Sequence, residues 1–245
     1  MDTGCGRFAA RYGRRVTKLM YAVWGDDLAT TLRDPDLHAR LAEVGVTRLQ
    51  VNVDDDAVAE AMRIPTGDAP IGAIVSVWTA LDGEPDGPVT DVLSAVVDRL
   101  AGWEIYERQP IPPPAIADGE RMDTLANIAV LRRPEEQPRE EWIHHWLVDH
   151  TPVAKTTQAT FGYVQNVVVR PVTPDAPRVD ALVEELFPSA GMTDMHAFYG
   201  SGGDDAELND RFTRLMTSVA RFGADRDLDL VPSSRYVYTL GQSVS

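Results

Sequence analysis

Two segments of this chain read as strands that are apolar on both faces, and that restricts what the chain can fold into. In the first, Leu19, Tyr21 and Val23 alternate with Met20, Ala22 and Trp24; in the second, Ala73, Val75 and Val77 alternate with Ile74 and Trp78. Successive side chains of a strand point to opposite faces. A sheet built from such strands is therefore greasy on both sides. Helices can cover one face, and the other needs a second partner. A dozen large apolar side chains left in water would forfeit on the order of 20–30 kcal/mol of gross burial free energy.

The order of elements suggests where that partner comes from. Lys18 to Trp24 reads as a strand, Pro35 to Val44 as a helix, Arg48 to Val53 and Ile71 to Ala80 as strands, Val89 to Leu100 as a helix and Trp103 to Glu107 as a strand. A minor helix opens at Asp54-Asp55-Asp56, where acidic residues suit a helix start. Pro110, Pro112, Pro113 and Pro114 interrupt any ladder. The second half repeats the pattern: strand Leu125 to Leu131, helix Arg139 to Val148 extended to Val153, strand Phe161 to Arg170, short helix Val179 to Leu186, strand Met195 to Tyr199, helix Asp204 to Phe222 and strand Arg235 to Leu240. Leu49-Gln50-Val51-Asn52-Val53 is echoed by Val164-Gln165-Asn166-Val167-Val168. Each half reads as a ferredoxin-like βαββαβ unit. The expected fold is α+β: two such units packed sheet to sheet as an intramolecular α+β barrel. The expected boundaries are a basic tail 1–17, a first unit 18–111, a Pro-rich linker 112–121, a second unit 122–240 and a tail 241–245.

Composition narrows the function. Among 245 residues, 23 Lys and Arg face 38 Asp and Glu, a formal charge of −15. Phosphate backbones are bound by clustered cations, so a nucleic-acid partner is not expected. The longest apolar stretch, Ala73 to Leu81, is too short to span a bilayer. The single cysteine, Cys5, allows no internal disulfide framework. A cytoplasmic protein without membrane attachment is expected. The start of the chain, with Arg7, Arg11, Arg14 and Arg15, has no apolar core and does not read as a secretory signal.

Arg132-Arg133-Pro134, Glu140-Glu141-Trp142 and Trp146-Leu147-Val148-Asp149-His150-Thr151-Pro152-Val153-Ala154, followed by Tyr163-Val164-Gln165-Asn166, resemble the EthD domain family of the dimeric α+β barrel superfamily. That pattern is a strand ending in a basic-Pro turn, an aromatic-bearing helix ending in His-x-Pro, and a strand opening near a tyrosine. The resemblance spans most of residues 122–240. The first half lacks the His-x-Pro, and only His38 lies in a comparable place. The resemblance implies the barrel fold and a small-molecule pocket. It fixes no reaction, because relatives include polyketide cyclases, lactone isomerases, cofactor-free monooxygenases and proteins of unknown role.

Residue spacing marks the candidate catalytic groups. Trp142, Trp146 and His150 are four apart and share a helix face, so His150 ends an apolar stripe and points toward whatever that helix covers. A half-buried imidazole beside a cavity can act as base or acid; it can equally fix a helix end. Tyr163 and Gln165 share one strand face, and Asn166 lies on the other. With Asn127, set among Ala126, Ile128 and Val130, each is a buried polar group that must satisfy a neighbour or a ligand. His196 either meets His150 across the pocket or caps the sheet edge. The candidate catalytic residues are His150, Tyr163 and His196. The candidate ligand contacts are Trp146, Asn127, Gln165, Asn166 and His38. His144 and His145 lie off the stripe and read as surface positions, and no metal set is expected.

Three function classes remain. The first is a cofactor-free cyclase, isomerase or monooxygenase acting on a small, largely apolar organic molecule: His150 moves a proton next to a carbonyl, and Tyr163 or His196 stabilises the enolate oxygen. The second is a haem-binding oxidoreductase, since tandem ferredoxin-like halves also occur in chlorite dismutases, although that superfamily's characteristic segments are absent here. The third is a non-catalytic carrier of a small ligand. A tandem chain needs no second copy to close its barrel, although two such chains can still associate as a homodimer.

Overall fold

A computed structural model describes residues 16–79 and 86–241. The basic N-terminal segment, residues 80–85 and the last four residues lie outside the described residues. Strands β1 (Thr17–Trp24), β2 (Val46–Val53), β3 (Ala73–Thr79) and β4 (Arg99–Ile111) come from the first half of the chain, and β5 (Leu125–Leu131), β6 (Gly162–Pro171), β7 (Ala181–Phe187) and β8 (Leu228–Thr239) from the second. Each half orders its strands alike, β4-β1-β3-β2 and β8-β5-β7-β6. Antiparallel seams β2–β8 and β4–β6 close all eight into one barrel, so no strand is left with an open edge. The expected intramolecular α+β barrel is the observed one.

The two-faced strands find both of their partners. In the first half, Leu19, Tyr21, Val23, Leu49, Val51, Val75 and Val77 face outward and pack under α1 (Leu28–Thr31), α2 (Pro35–Glu43) and α3 (Asp86–Ser94), through Leu28, Leu37, Leu41, Val89 and Leu93. The opposite faces turn into the barrel lumen. There Met20, Ala22 and Ile74 meet Ile128, Val130, Leu182 and Val231 from the other half. Towards one end of the lumen the lining becomes polar, with Lys18, Gln50, Asn52, Asn166, Glu184, Ser233 and Arg235 all buried.

Close approach shapes the first half. Tyr21 lies opposite Gly102 in the β1–β4 ladder, and a Cβ at Gly102 would stand 2.4 Å from the Tyr21 ring. Gly102→Ala is therefore expected to cost about 1–3 kcal/mol through overpacking. Urea denaturation would register this as a lower midpoint with an unchanged slope.

Two sequence expectations are corrected. Residues 179–186 are not a short helix, because Ala181–Phe187 forms β7. Their apolar positions fit a helical stripe, but both faces of a buried strand need the same residues, and pairing on two sides with β5 and β6 decides the matter. Residues 195–199 are not a strand but a short helix. In chain order it is α6 (Met195–Tyr199), after α4 (Arg139–His144) and α5 (Thr151–Thr157). The Asp194 side chain accepts from the His196 N–H, and Gly200 ends the helix at φ +68°. Smaller shifts reflect chain geometry. The acidic run after β2 makes only a 3₁₀ turn, Asp56–Val58, and α3 stops at Ser94 because β4 already begins at Arg99. The long C-terminal helix is α7 (Asp205–Ala220), with Gly223 at φ +75° just beyond it. Among the described residues no helix is long and apolar enough to cross a membrane.

Candidate active site

The two halves differ in the space between sheet and helices. In the first half helix and sheet side chains pack against one another in one cluster. In the second that space encloses a cavity of about 310 Å³, floored by β5, β6 and β7 and roofed by α6, α7 and the helix that carries His150. The cavity bordered by His150 thus lies outside the barrel lumen, between the second half's strands and its helices. Met62, from the β2–β3 connection of the first half, also lines it and is 66% exposed, which marks the side open to solvent.

The roof begins with α4 (Arg139–His144), passes through a π-helical turn (His145–His150) and continues as α5 (Thr151–Thr157). Pro152 explains the wide turn. It has no N–H for the carbonyl four residues back, and its ring would collide there in a regular helix. The Thr151 hydroxyl instead donates to the Leu147 carbonyl at 3.0 Å. The Trp142 indole N–H donates to the Phe222 carbonyl at 2.8 Å and ties the segment to α7. Trp146 and His150 are thereby held over the sheet. His150 Nδ1 lies 2.9 Å from the Ser218 hydroxyl, and its ring meets Phe222 edge-on at 4.9 Å. Burial lowers its pKa to about 4, so the imidazole is neutral at physiological pH, with Nε2 uncommitted.

The floor carries a polar row. Ladder register places Asn127 on β5 opposite Glu185 on β7, and Glu185 opposite Tyr163 on β6. All three line the cavity. Asn127 Oδ1 and Glu185 Oε1 are buried and have no hydrogen-bond partner among the described residues. Burial raises the Glu185 carboxyl to about 7. The Tyr163 hydroxyl accepts from Gln165 Nε2 at 3.1 Å. Burial, and then the Glu185 charge, push the Tyr163 pKa upward, and Tyr199 on α6 rises for the same two reasons. Both phenols stay protonated, as hydrogen-bond donors. Leu131, Val183, Leu215, Val219 and Phe222 make the remaining surface apolar.

Four sequence candidates therefore meet at one cavity: His150, Tyr163, Trp146 and Asn127. The others do not. Gln165 stands behind Tyr163 and binds the Thr151 hydroxyl at 2.9 Å, a positioning contact. Asn166 is on the opposite strand face, in the lumen, and accepts from Lys18 Nζ at 2.6 Å. His38 bonds the Leu32 carbonyl at 3.0 Å and packs at a tilt against the Tyr238 ring. His196, on α6 and not on a strand, bonds Ser201 at 2.7 Å and lies 3.4 Å from Asp205; it does not line the cavity, so it does not face His150. His145 bonds Asp149 at 3.0 Å near the surface. Glu185 and Tyr199 are additions. A helix over 179–186 hides Glu185, whereas strand alternation puts it on one face with Ala181, Val183 and Phe187. Among the described residues no group of three or more His, Cys, Asp or Glu side chains is placed to hold a metal ion.

No protein-family model matches the sequence, and no curated protein matches it. Solved structures of similar chain path exist. A "putative monooxygenase" from Lactobacillus acidophilus NCFM is 8% identical, with TM-score 0.47, over 92% of this chain and 97% of its own. An "anthrone oxidase-like protein" is 10% identical, with TM-score 0.49, over 95% and 96%. A "putative monooxygenase" from Fusobacterium nucleatum is also 10% identical, with TM-score 0.49, over 94% and 97%.

Proposed function

We propose that the chain is a cofactor-independent enzyme that takes a proton from a small, largely apolar ketone or phenol bound between the C-terminal sheet and its helices. The carrying observation is the row Asn127–Glu185–Tyr163, in which two buried oxygen acceptors lack donors inside an apolar chamber. Such groups are costly unless a ligand supplies the missing hydrogens. The EthD-like reading of residues 122–240 belongs to this proposal. Its support is that His150-Thr151-Pro152 forms the turn that places the imidazole at the cavity.

The acidities assign the roles. A base works best with a pKa near the operating pH. Glu185, at about 7, meets that condition better than His150, at about 4. Glu185 takes a proton from the carbon beside a carbonyl, or from a phenolic oxygen, and the substrate becomes an enolate or phenolate. The protonated Tyr163 phenol and the neutral His150 edge supply donors to that oxygen. The apolar wall excludes water and strengthens each contact. The cavity volume lies at the lower end of the usual range of about 300–1,000 Å³, which suits a compact bicyclic molecule and not a haem macrocycle.

Hydrogen–deuterium exchange isolates the proton-transfer step, whatever later chemistry the enolate undergoes. In D₂O the wild-type protein is expected to speed exchange of the α-hydrogens of aryl ketones such as tetralone, read by mass spectrometry. His150→Ala should slow it and Glu185→Gln should reduce it to background. Exchange no faster than with Glu185→Gln across a panel of such ketones would remove proton transfer and leave a ligand carrier.

A further inference from the structure

The barrel lumen holds a second cavity of about 310 Å³, at its polar end, far in character from the apolar chamber. Arg48, Gln50, Trp78, Glu107, Glu184 and Arg235 contribute to its wall, and the Pro-rich segment 113–116 covers it. Its wall carries two arginines and two glutamates, but they are not paired one to one. Lys18 bonds Glu107 and Asn166. Arg235, only 2% exposed, gives Nε to Glu184 at 3.0 Å and Nη2 to Gln50 at 2.9 Å. Arg48 lies 4.3 Å from the Trp78 ring and has no ion-pair or hydrogen-bond partner among the described residues. Each carboxylate of the wall is thus already paired, Glu107 with Lys18 and Glu184 with Arg235, whereas Arg48 has only the fields of Glu107, Glu184 and Asp118. Glu184 also accepts from Gln50 and Asn52, and Glu107 from Gln109.

Two sets of donors remain unused: the whole guanidinium fork of Arg48, and Nη1 of Arg235. Arg235 is held in the lumen by Glu184 and Gln50, and its Nη1 is not among the buried atoms that lack a partner, so a ligand can reach it. The positive charges of Arg48 and Arg235 also repel each other across the cavity, which burial and Arg235 register as a lowered Arg48 pKa. That repulsion falls if an anion enters. A guanidinium fork matches a carboxylate in shape and charge. With Glu107 and Glu184 also in the wall, the unpaired Arg48 fork suits a single negative charge better than a phosphate dianion.

We infer that the polar end of the barrel lumen is a binding site for a small organic monocarboxylate, held by Arg48 and Arg235 and separate from the chamber beneath His150.

Isothermal titration and thermal shift with acetate, propionate and butyrate, against the matching amides and inorganic phosphate, test it. The carboxylates are expected to bind and raise the melting temperature, and the amides not to. Arg48→Gln, at an exposed position, should keep the fold by circular dichroism and weaken carboxylate binding at least about tenfold, which corresponds to about 1.4 kcal/mol. Arg48→Lys, which keeps the charge and loses the fork, should fall between the two. No carboxylate binding, equal binding of amides, equal affinity in Arg48→Gln, or preference for phosphate would each overturn the assignment. Glu185→Gln should leave this binding unchanged, so the result is independent of the proposed reaction.

Discussion

Glu185→Gln is expected to lower the rate of ketone α-proton exchange by about 10²–10⁴-fold, the usual contribution of a positioned base. Gln keeps the volume and a hydrogen-bonding amide, so the chamber should survive and ligand affinity should change far less than rate. The wild-type rate should rise with pH through about 7, the value to which burial lifts this carboxyl, as the ionised base accumulates. A profile flat across that range would reassign the base.

The same group sets a stability signature with a definite sign. The native state holds Glu185 neutral up to about 7, while the unfolded chain ionises near 4.5. Stability from this residue is complete below pH 4.5 and declines as pH rises to about 7. The decline is on the order of 3 kcal/mol, at 1.4 kcal/mol per pH unit. His150 slopes the other way. Its native pKa of about 4 lies below the unfolded 6.5, so its contribution is complete above 6.5 and falls on acidification toward 4. The two slopes oppose each other between pH 4.5 and 6.5. Glu185→Gln removes one of them. Measured by urea unfolding, the variant should gain on wild type as pH rises from about 4.5 to 7, and hold a constant lead above that.

The largest stability loss is expected at Arg235. Arg235→Leu strips Glu184 of its direct ion-pair partner in the lumen and leaves Gln50 and Asn52 as the hydrogen-bond donors to its Oε1. Removing one partner of a buried pair costs about 3–5 kcal/mol. The double variant Arg235→Leu/Glu184→Leu should recover much of that, because an apolar lumen needs no counter-charge. If the single and double variants unfold at the same urea concentration, the charge explanation fails and the loss is one of shape alone.

Much of the fold can be read from the residues, and the reasons are specific. Strands apolar on both faces demand two partners, and only a second sheet in the same chain supplies the inner one. Pro152 after His150 marks the turn that aims the imidazole, and alternation alone separates Tyr163 from Asn166. What stays hidden depends on long-range pairing. Ala181 to Phe187 carries a helix-compatible pattern, and only its neighbours β5 and β6 make it a strand. Glu185 is lost with that error, since a glutamate on a surface helix needs no explanation whereas one facing inward does. His196 is misplaced for the reverse reason: Asp194 and Gly200 already cap a helix there. No local pattern indicates that the lumen is polar at one end, because pairs such as Lys18–Asn166, Gln50–Glu184 and Gln50–Arg235 join residues 148, 134 and 185 positions apart in sequence.

The seams β2–β8 and β4–β6 join parts of one polypeptide, so barrel closure carries no association entropy and dilution cannot undo it. The halves are also released from having to match. An assembly of identical copies must repeat any hollow it makes, whereas here the chamber beneath His150 is built chiefly by one half. Saturation with an apolar guest should accordingly follow a simple hyperbola at one molecule per chain.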